Sequence, residues 1–383
     1  MRVLKRKKIV TAVLAAVMAV SVIFTGCGKN EEESSLPPVV ENNKTSSAES
    51  EMSAESSVQS ASSSQESSEV SYNSNTITPM ICEISDDEGH ILYTMGTIHL
   101  ADENALNMPD YFETAFNASD ALAVECNSKL GGIDLMSVTK FMYTDKTTIR
   151  DHVSAEDYDK VVNVVKDSPL YTQVYDYVKP MMWVSLAEVC AASKIGLSES
   201  YGVDNLLMDR AEKSGKEILE VEGTEKQFAI IADMPDEIQN LLFHELAATD
   251  DYLNEMGKSL DELYKSWKSG NAVEDDNSLN EESFTDEEKQ LIDSYYNIML
   301  YDRNEGMADK AEEYLHSGQT VFMAVGLAHF GGEKGIYKLL ENRGYKVRQL
   351  SHGDAVKDLS SVIKPGESSV SVSETDPAIP RAA

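Results

Sequence analysis

Hydrophobic and polar positions divide the chain into short apolar runs and longer stretches with helical spacing. The short runs are rich in β-branched and aromatic residues and are bounded by polar or glycine positions, which predicts buried strands. These strands are predicted at Met80–Ile84, His90–Gly96, Ala121–Cys126, Glu217–Val221, Thr320–Val325 and Lys346–Leu350. Helical patterns include Met181–Lys194, Val203–Ser214, Pro235–Met256 and Asp286–Leu300.

The predicted strands cluster toward the two ends of residues 76–360, and helical patterns fill the stretch between them. No low-complexity linker divides this region, so we expect a single domain. The predicted fold class is α/β. Strands from both ends of the domain form a central mixed sheet, and a long helical insert is carried between them.

Two of the predicted strands end in the same motif, Gly-x-x-His. The second strand leads to Gly96 and His99, and the fifth leads to Gly326 and His329. A glycine lets the chain turn sharply, or lets a ligand approach the backbone closely. Two such strands side by side would bring two imidazoles together, which suits a metal site or an acid/base site. Two satisfied core histidines from an internal duplication are the structural alternative.

Charged side chains accompany other predicted elements. Glu125 ends an apolar run, where an ionised carboxylate is costly unless it meets a metal or a cation. Glu222 follows a similar strand just before a predicted helix start, and Glu220 lies on the same face of that strand. Arg303 opens the helix that leads back to the second histidine motif. Its guanidinium could hold either Glu125 or Glu222, or stabilise an oxyanion, and a surface ion pair is the alternative.

Several other features favour structural roles. Asp204 stands at a helix start, where capping is the favoured role. The acidic stretch from Thr249 to Glu287 is typical of a solvated face, with a cation-attracting lid as the alternative. The spacing of three tyrosines suits helical packing and a ligand groove equally well; they are Tyr171, Tyr175 and Tyr177. We interpret Cys82, Cys126 and Cys190 as small buried residues, with one possible disulfide bridge among them.

Taken together, the motifs resemble the TraB/GumN family, which also includes the TIKI-type proteases. The resemblance covers Thr76 to Leu350 and rests on the order and spacing of several motifs. They are Gly96-Thr97-Ile98-His99, Glu125, Gly202-Val203-Asp204, Val221-Glu222-Gly223-Thr224-Glu225-Lys226-Gln227, Asp302-Arg303-Asn304, Gly326-Leu327-Ala328-His329, Gly331-Gly332-Glu333-Lys334-Gly335 and Gly344-Tyr345-Lys346-Val347.

The resemblance implies a metal-dependent hydrolase. It makes His99 and His329 candidate ligands of a divalent metal, and Glu125 either a ligand or the base that accepts a proton from water. Glu222 completes the candidate metal set, and Arg303 joins Glu125 as a candidate catalytic residue. Imidazole and carboxylate ligands suit several divalent ions, so zinc, manganese and cobalt all remain open.

Two positions depart from the family pattern. Asn127 stands where members often have Asp, and Gly223 stands where Thr is common. Both departures keep the principal glutamates, Glu125 and Glu222. They weaken the expectation that a second acid beside Glu125 completes a metal shell.

The first residues predict export and a lipid anchor. Five basic residues precede an apolar stretch from Ile9 to Phe24, which is typical of a signal peptide. Phe24-Thr25-Gly26-Cys27 resembles a bacterial lipobox, so we expect residues 1–26 to be removed and Cys27 to be lipidated. An ordinary secretory signal is the alternative. Ser- and Glu-rich composition predicts a disordered tether over residues 27–75 and a disordered tail over residues 361–383.

Charge limits the choice of partners. Removing the predicted signal peptide takes away five basic residues and no acids, so the formal charge moves from −33 to −38. Such a surface repels phosphate backbones and anionic lipids, which argues against nucleic acid and makes membrane attachment depend on the lipid.

The sequence therefore leads to one main hypothesis and one alternative. The main hypothesis is a hydrolase that is anchored by lipid on the extracytoplasmic face of the cell membrane, depends on a divalent metal and acts on peptides or another small substrate. The alternative is a lipoprotein that binds a peptide signal or a haem-like ligand without catalysis. An open metal site would favour the hydrolase, whereas an apolar groove with both histidines hydrogen-bonded would favour the binding protein.

Overall fold

The computed structural model describes residues 77–129, 138–271 and 284–353. The predicted signal peptide, the lipidation site Cys27, the tether and the tail lie outside these residues, as does part of the acidic stretch. In the part of the chain that is described, no helix has both the length and the apolar character that crossing a bilayer requires.

Six strands form one sheet. They are β1 (Ile81–Ser85), β2 (Ile91–Thr97), β3 (Ala121–Val124), β4 (Glu217–Glu220), β5 (Val321–Gly326) and β6 (Lys346–Gln349). Their order is β4-β3-β5-β2-β1-β6. The first four strands in this order run parallel to their neighbours, whereas β1 pairs antiparallel with both β2 and β6. Each predicted strand is present, and the predicted α/β class with a mixed sheet is confirmed.

Helices occupy the insert and cover the sheet. They are α1 (Asp110–Ala118), α2 (Ala155–Val165), α3 (Pro180–Lys194), α4 (Val203–Ser214), α5 (Thr224–Ala232), α6 (Asp236–Ala248), α7 (Tyr252–Lys268), α8 (Asp286–Tyr296), α9 (Asp302–Leu315) and α10 (Ile336–Asn342). A π-helical turn, Asn297–Tyr301, joins α8 to α9. Such turns insert an extra residue into a helix and are frequent at functional sites.

The prediction of one helix over Pro235–Met256 was wrong. The structure ends α6 at Ala248 and begins α7 at Tyr252, and Asp251 between them has the left-handed value φ 52°. A left-handed residue interrupts the helical hydrogen-bond ladder, and Asp tolerates this conformation better than most residues. The helical periodicity was predicted correctly on both sides of this break, because each of the two helices buries an apolar face.

The core has its centre on β5, which lies between β3 and β2. Residues Val321 to Val325 are fully buried, as expected for a parallel strand that is covered on both faces. On one of these faces Phe322 packs edge-on against Phe112 and Phe116 of α1. The strands whose ends carry the candidate residues are thus among the most rigidly packed elements of the fold.

The tyrosines and cysteines have structural positions. Tyr171 and Tyr175 pack against Trp183 inside the helical insert, whereas Tyr177 is half exposed. Cys82 is buried and the other two cysteines are half-buried. The possible bridge among them is not formed, since Cys82, Cys126 and Cys190 are all free thiols.

Candidate functional site

The sheet brings the two Gly-x-x-His motifs side by side. Strands β2 and β5 are parallel neighbours, and in their register Thr97 lies opposite Gly326. Strand β3 pairs with the other side of β5 in the same direction, so Glu125 emerges at the same edge of the sheet. Ligands commonly bind at this carboxyl edge of parallel strands. His99, Glu125 and His329 therefore all follow strands that end at one edge of the sheet.

The motif glycines make this close approach possible. A Cβ on Gly96 would lie 2.9 Å from the Cα of Leu327, and a Cβ on Gly326 would lie 3.0 Å from Oε1 of Glu125. Both positions therefore lack room for a side chain. The glycines let the β2 and β5 termini pack together and let the carboxylate approach the backbone.

Glu125 is buried and held by three donors. Its Oε1 accepts a hydrogen bond of 2.5 Å from the backbone N–H of Gly326. Its Oε2 accepts hydrogen bonds from Nη2 of Arg303 at 2.7 Å and from Nε2 of Gln227 at 2.8 Å. The orientation of the carboxylate is consequently fixed by β5, α9 and α5 together.

Arg303 joins the two glutamates. The side chain is buried in the first turn of α9, and Nη2 also donates to Oε2 of Glu222 at 2.6 Å. Nε donates to both oxygens of Glu222, and Nη1 donates to the carbonyl of Met299 in the π-helical turn at 2.8 Å. Of the roles considered for Arg303 from the sequence, the structure gives it the pairing with both glutamates.

Glu222 is the most enclosed of the candidate acids, since its side chain is 1% exposed. Besides Arg303, it pairs with Nζ of Lys226 at 2.9 Å and accepts a hydrogen bond from Gln227 at 2.6 Å. Both oxygens are thus engaged by donors. The sequence predicted Glu222 as a metal ligand. In the structure its carboxylate anchors Arg303.

The environment keeps Glu125 ionised. Burial alone would raise its pKa, but Arg303, His329, His99 and the N–H of Gly326 together lower the pKa to about 2. A carboxylate with such a low pKa is a good ligand or counter-ion and a weak base at neutral pH.

His329 is buried and neutral. Its Nδ1 lies 2.6 Å from Oδ1 of Asn304, whose amide nitrogen donates to the carbonyl of Lys334. The amide is thereby oriented so that Nδ1 of His329 carries the proton and Nε2 carries the lone pair. Burial and then the neighbouring Arg303 lower the pKa of His329 to about 4. This Nε2 lies 3.9 Å from Oε1 of Glu125.

His99 pairs with Asp204. Its Nδ1 lies 2.7 Å from Oδ2 of Asp204, and Thr97 donates to the other oxygen at 2.6 Å. Oδ2 is at ion-pair distance but accepts no well-aligned hydrogen bond. Burial lowers the pKa of His99, yet Asp204, Glu125 and Glu199 more than offset this and raise it to about 9.

The prediction that Asp204 caps α4 was wrong. The N-cap is Gly202, and no side chain caps the helix. Asp204 lies in the first turn and points instead to the β2 terminus, because the N–H of Val203 is bonded to the carbonyl of Ile98 and brings the two segments together.

A small cavity of ≈ 40 Å³ lies beside these groups, and His99, Glu125, Cys126, Asp204 and Gln227 are part of its lining. Since one water needs about 10–15 Å³ measured in this way, the cavity has room for a few waters. It is far smaller than the several hundred Å³ typical of pockets for drug-sized ligands.

The residues fit a metal ion in part. Two ligand bonds of about 2.1 Å on one ion span at most about 4.2 Å, and the 3.9 Å between Nε2 of His329 and Oε1 of Glu125 lies within that span. Asn304 also holds the other nitrogen of His329, as the partners of metal-bound histidines commonly do. His99 is farther away: ligand atoms of His99, His329 and Glu125 do not all lie within 4.8 Å of one another.

The sequence interpretation missed the roles of Gln227, Asn304 and Asp204. Gln227 bridges the two glutamates, Asn304 orients His329 and Asp204 pairs with His99. Each lies within a motif that was recognised, and Asn304 directly follows Arg303. Most of their partners lie far away in the sequence, so spacing alone carries no signal of these contacts.

Comparison with known proteins agrees with this arrangement of motifs. The chain is 22% identical over 252 residues to the uncharacterized protein YbaP of Escherichia coli strain K12, an alignment covering 65% of this chain and 87% of that protein. The YbaP protein of Shigella flexneri matches to the same extent. No solved structure matches the chain. The model of the TraB/PrgY/gumN family matches residues 80–349, and the chain belongs to that family.

Proposed function

We propose that the protein is a metal-dependent hydrolase that acts on peptides from a lipid anchor on the extracytoplasmic face of the membrane. The observation that carries this proposal is the pair formed by Glu125 and His329. A buried carboxylate with a fixed orientation faces a neutral imidazole whose lone pair is directed toward it across 3.9 Å.

In this proposal His329 and Glu125 would hold a divalent ion, and His99 lies on the neighbouring strand end. When bound, the ion would supply Lewis-acid activation of water and of a substrate carbonyl. Zinc, manganese and cobalt all accept this donor set.

The surrounding residues have positioning roles. Arg303, Gln227 and the N–H of Gly326 fix the carboxylate of Glu125, and Asn304 fixes the ring of His329. Arg303 is a positioning residue in this proposal, since its donors are engaged with the two glutamates and Met299.

The pair of His99 and Asp204 supplies the proton chemistry. Asp204 holds His99 at the edge of the small cavity. With a pKa of about 9, His99 is protonated at neutral pH in the absence of a metal. An imidazole in this position can donate a proton to a leaving amine when it is charged, and can accept one when it is neutral. Glu125, with its pKa of about 2, is better suited to be a ligand than a base.

The alternative of a binding lipoprotein expects both histidines to be held by hydrogen-bonding partners, and His99 and His329 do pair with Asp204 and Asn304. What this site lacks, among the described residues, is a groove of sufficient size. A cavity of ≈ 40 Å³ is too small for a haem-like ligand, and the tyrosines that could line a groove pack inside the helical insert. The anchor itself is proposed from the lipobox ending at Cys27.

The test combines metal analysis with peptide hydrolysis by the full chain. The chain is stripped with chelator, supplied with Zn²⁺, Mn²⁺ or Co²⁺, and incubated with a peptide library. We expect metal-dependent cleavage that falls by at least about 100-fold in Glu125→Gln and in His329→Ala. A matched control is His152→Ala, an exposed histidine that stacks on Tyr143 outside the site. Equal cleavage by the wild type and Glu125→Gln in every metal would refute the proposal.

A further inference from the structure

A second group of histidines lies at the opposite ends of the same two strands. His90 immediately precedes β2, and His316 lies at the end of α9, shortly before β5. Because β2 and β5 are parallel neighbours, their amino ends share one edge of the sheet. At about 3.3 Å per residue, this edge is about 20 Å from the carboxyl edge that carries His99 and His329.

Asp86 joins the two imidazoles. Its Oδ2 lies 2.6 Å from Nδ1 of His90 and 3.4 Å from Nε2 of His316. The ligand atoms of the three residues all lie within 4.8 Å of one another, and in the described part of the chain this is the one such triad of His, Cys and acidic residues. The rings of His90 and His316 have centroids 5.1 Å apart.

Backbone N–H groups hold the other oxygen of the Asp86 carboxylate. Oδ1 of Asp86 accepts hydrogen bonds from three backbone N–H groups of the turn between β1 and β2, those of Glu88, Gly89 and His90, at 2.8–2.9 Å. Gly89 has φ +93°, a value that glycine adopts readily. The turn therefore presents Oδ2 toward the imidazoles.

The last turn of α9 fixes the orientation of His316. Its Nδ1 lies 2.9 Å from the carbonyl of Glu312. A carbonyl only accepts hydrogen bonds, so Nδ1 carries a proton, and Nε2 is the nitrogen that faces Oδ2 of Asp86. A hydrogen bond from the second nitrogen to a carbonyl is the usual support of a metal-bound histidine.

The group is open to solvent ions. The side chains of His90 and His316 are 38% and 46% exposed, and that of Asp86 is 14% exposed. Two imidazoles and one carboxylate are the ligand set of several zinc sites that keep water in the remaining position. Hard cations such as Mg²⁺ and Ca²⁺ prefer oxygen ligands and do not suit this set.

We propose that Asp86, His90 and His316 form a second metal site that takes Zn²⁺ or a similar divalent transition metal. The ion would join the turn between β1 and β2 to the end of α9, and so tie together the amino ends of β2 and β5. This inference does not rest on the proposed hydrolase, because the two sites share no residue.

The test measures zinc bound by the full chain. The stripped chain is titrated with ZnCl₂, and bound zinc is determined by elemental analysis after removal of free metal. We expect His316→Ala to lose one equivalent relative to the wild type, with at least about 100-fold weaker affinity at this site. The same variant leaves the contact between Asp86 and His90 intact, so its loss of zinc identifies a three-ligand site.

A matched control is His244→Ala. His244 pairs with Asp157 at 3.0 Å and is 46% exposed, like His316. It is not part of a triad of ligand atoms. Zinc binding by this variant should equal that of the wild type. Zn²⁺ should also raise the Tm of the wild type and of His244→Ala by several degrees more than that of His316→Ala.

A double variant separates this site from the proposed catalytic one. His99→Ala/His329→Ala should retain the equivalent of zinc that His316→Ala loses. If His316→Ala binds as much zinc as the wild type and both have the same far-UV circular dichroism, the second site is refuted, whatever the outcome for the hydrolase.

Discussion

Replacing Arg303 by methionine should destabilise the fold strongly, because it leaves two acids buried without their shared cation. Glu125 and Glu222 are 8% and 1% exposed in their side chains, and Nη2 of Arg303 contacts both. Methionine fills a similar volume without charge. The variant therefore removes the cation and its hydrogen bonds while limiting the loss of packing.

The expected cost follows from the pKa of Glu125. Its folded-state pKa is about 2, compared with about 4.3 for an unperturbed glutamate. A difference of about two units corresponds to about 3 kcal/mol of stability at neutral pH. Removing one partner of a buried ion pair costs about 3–5 kcal/mol in other proteins, which agrees with this magnitude. For a domain of this size, such a loss lowers Tm by about 10 °C.

The pH dependence of this effect has a defined sign. A carboxylate whose folded pKa is lowered stabilises the fold above its unfolded pKa, and this contribution is lost as the pH falls toward the folded value. The stability difference between the wild type and Arg303→Met should therefore be largest at neutral pH. It should narrow as the pH falls, because Glu125 becomes protonated more readily in the folded variant, which lacks the cation, whereas protonation of the unfolded chain is common to both proteins and cancels.

Urea unfolding of the full chain, followed by circular dichroism in the presence of chelator, measures the difference. The matched control is Arg343→Met, since Arg343 pairs with Glu305, Asp309 and Glu312 nearer the surface. Exposed pairs contribute about 0–1 kcal/mol each, so this variant should lose much less stability. Equal midpoints for Arg303→Met and Arg343→Met would contradict the reasoning.

Two further predictions concern a buried acid outside the site and a glycine that lets the two histidine strands approach each other. Burial raises the pKa of Glu188 well above its usual value, and within the described part of the chain its Oε1 has no hydrogen-bond partner, so wild-type stability should fall as the pH rises above about 4.3. Glu188→Met should remove this pH dependence of stability and be more stable than the wild type at pH 8, and an unchanged pH dependence in unfolding experiments would contradict the argument. Gly96→Ala should lower stability by about 1–3 kcal/mol because the added Cβ meets Leu327. The control Gly306→Ala in α9 has space for a Cβ and should raise stability by about 0.5–1 kcal/mol. Thermal unfolding compares the two variants, and equal Tm values would count against the close-approach argument.

Local patterns predicted the elements of this fold better than their arrangement. The four central strands are short, apolar and bounded by polar residues or glycine, and the two edge strands β4 and β6 carry apolar residues between polar ones, so each strand could be predicted from local composition. Strand order depends on long-range pairing, and the sequence suggested only that the two ends of the domain meet. The break at Asp251 was missed because a single left-handed residue does not disturb the hydrophobic period on either side.

The residues of the candidate site also divide into those that the sequence could identify and those that it could not. His99, Glu125 and His329 could be identified because each follows an apolar strand, where a polar side chain is conspicuous. Gln227 and Asn304 lie on helices, where polar residues are ordinary, and they acquire their roles only through contacts across the sheet edge. The cluster around Asp86 was missed for a related reason, since His316 lies outside the strand patterns and is brought to Asp86 and His90 only by strand pairing.

Charge balance sets the conditions under which each proposed site would take a metal. Around Glu125, two carboxylates already face the two cations Arg303 and Lys226, so a dication enters a region with little negative charge to spare. If His99 becomes a ligand it must lose the proton that its pKa of about 9 retains, and Asp204 then contributes one uncompensated negative charge to the site. Metal binding there is therefore coupled to proton release and is favoured by higher pH. At the opposite edge a metal must also displace a proton, because Nδ1 of His90 donates to Oδ2 of Asp86. No arginine, however, competes for the Asp86 carboxylate among its described contacts. The two ends of one strand pair thus offer histidines in contrasting electrostatic settings, and a zinc titration of the stripped chain near neutral pH should fill the Asp86 site first.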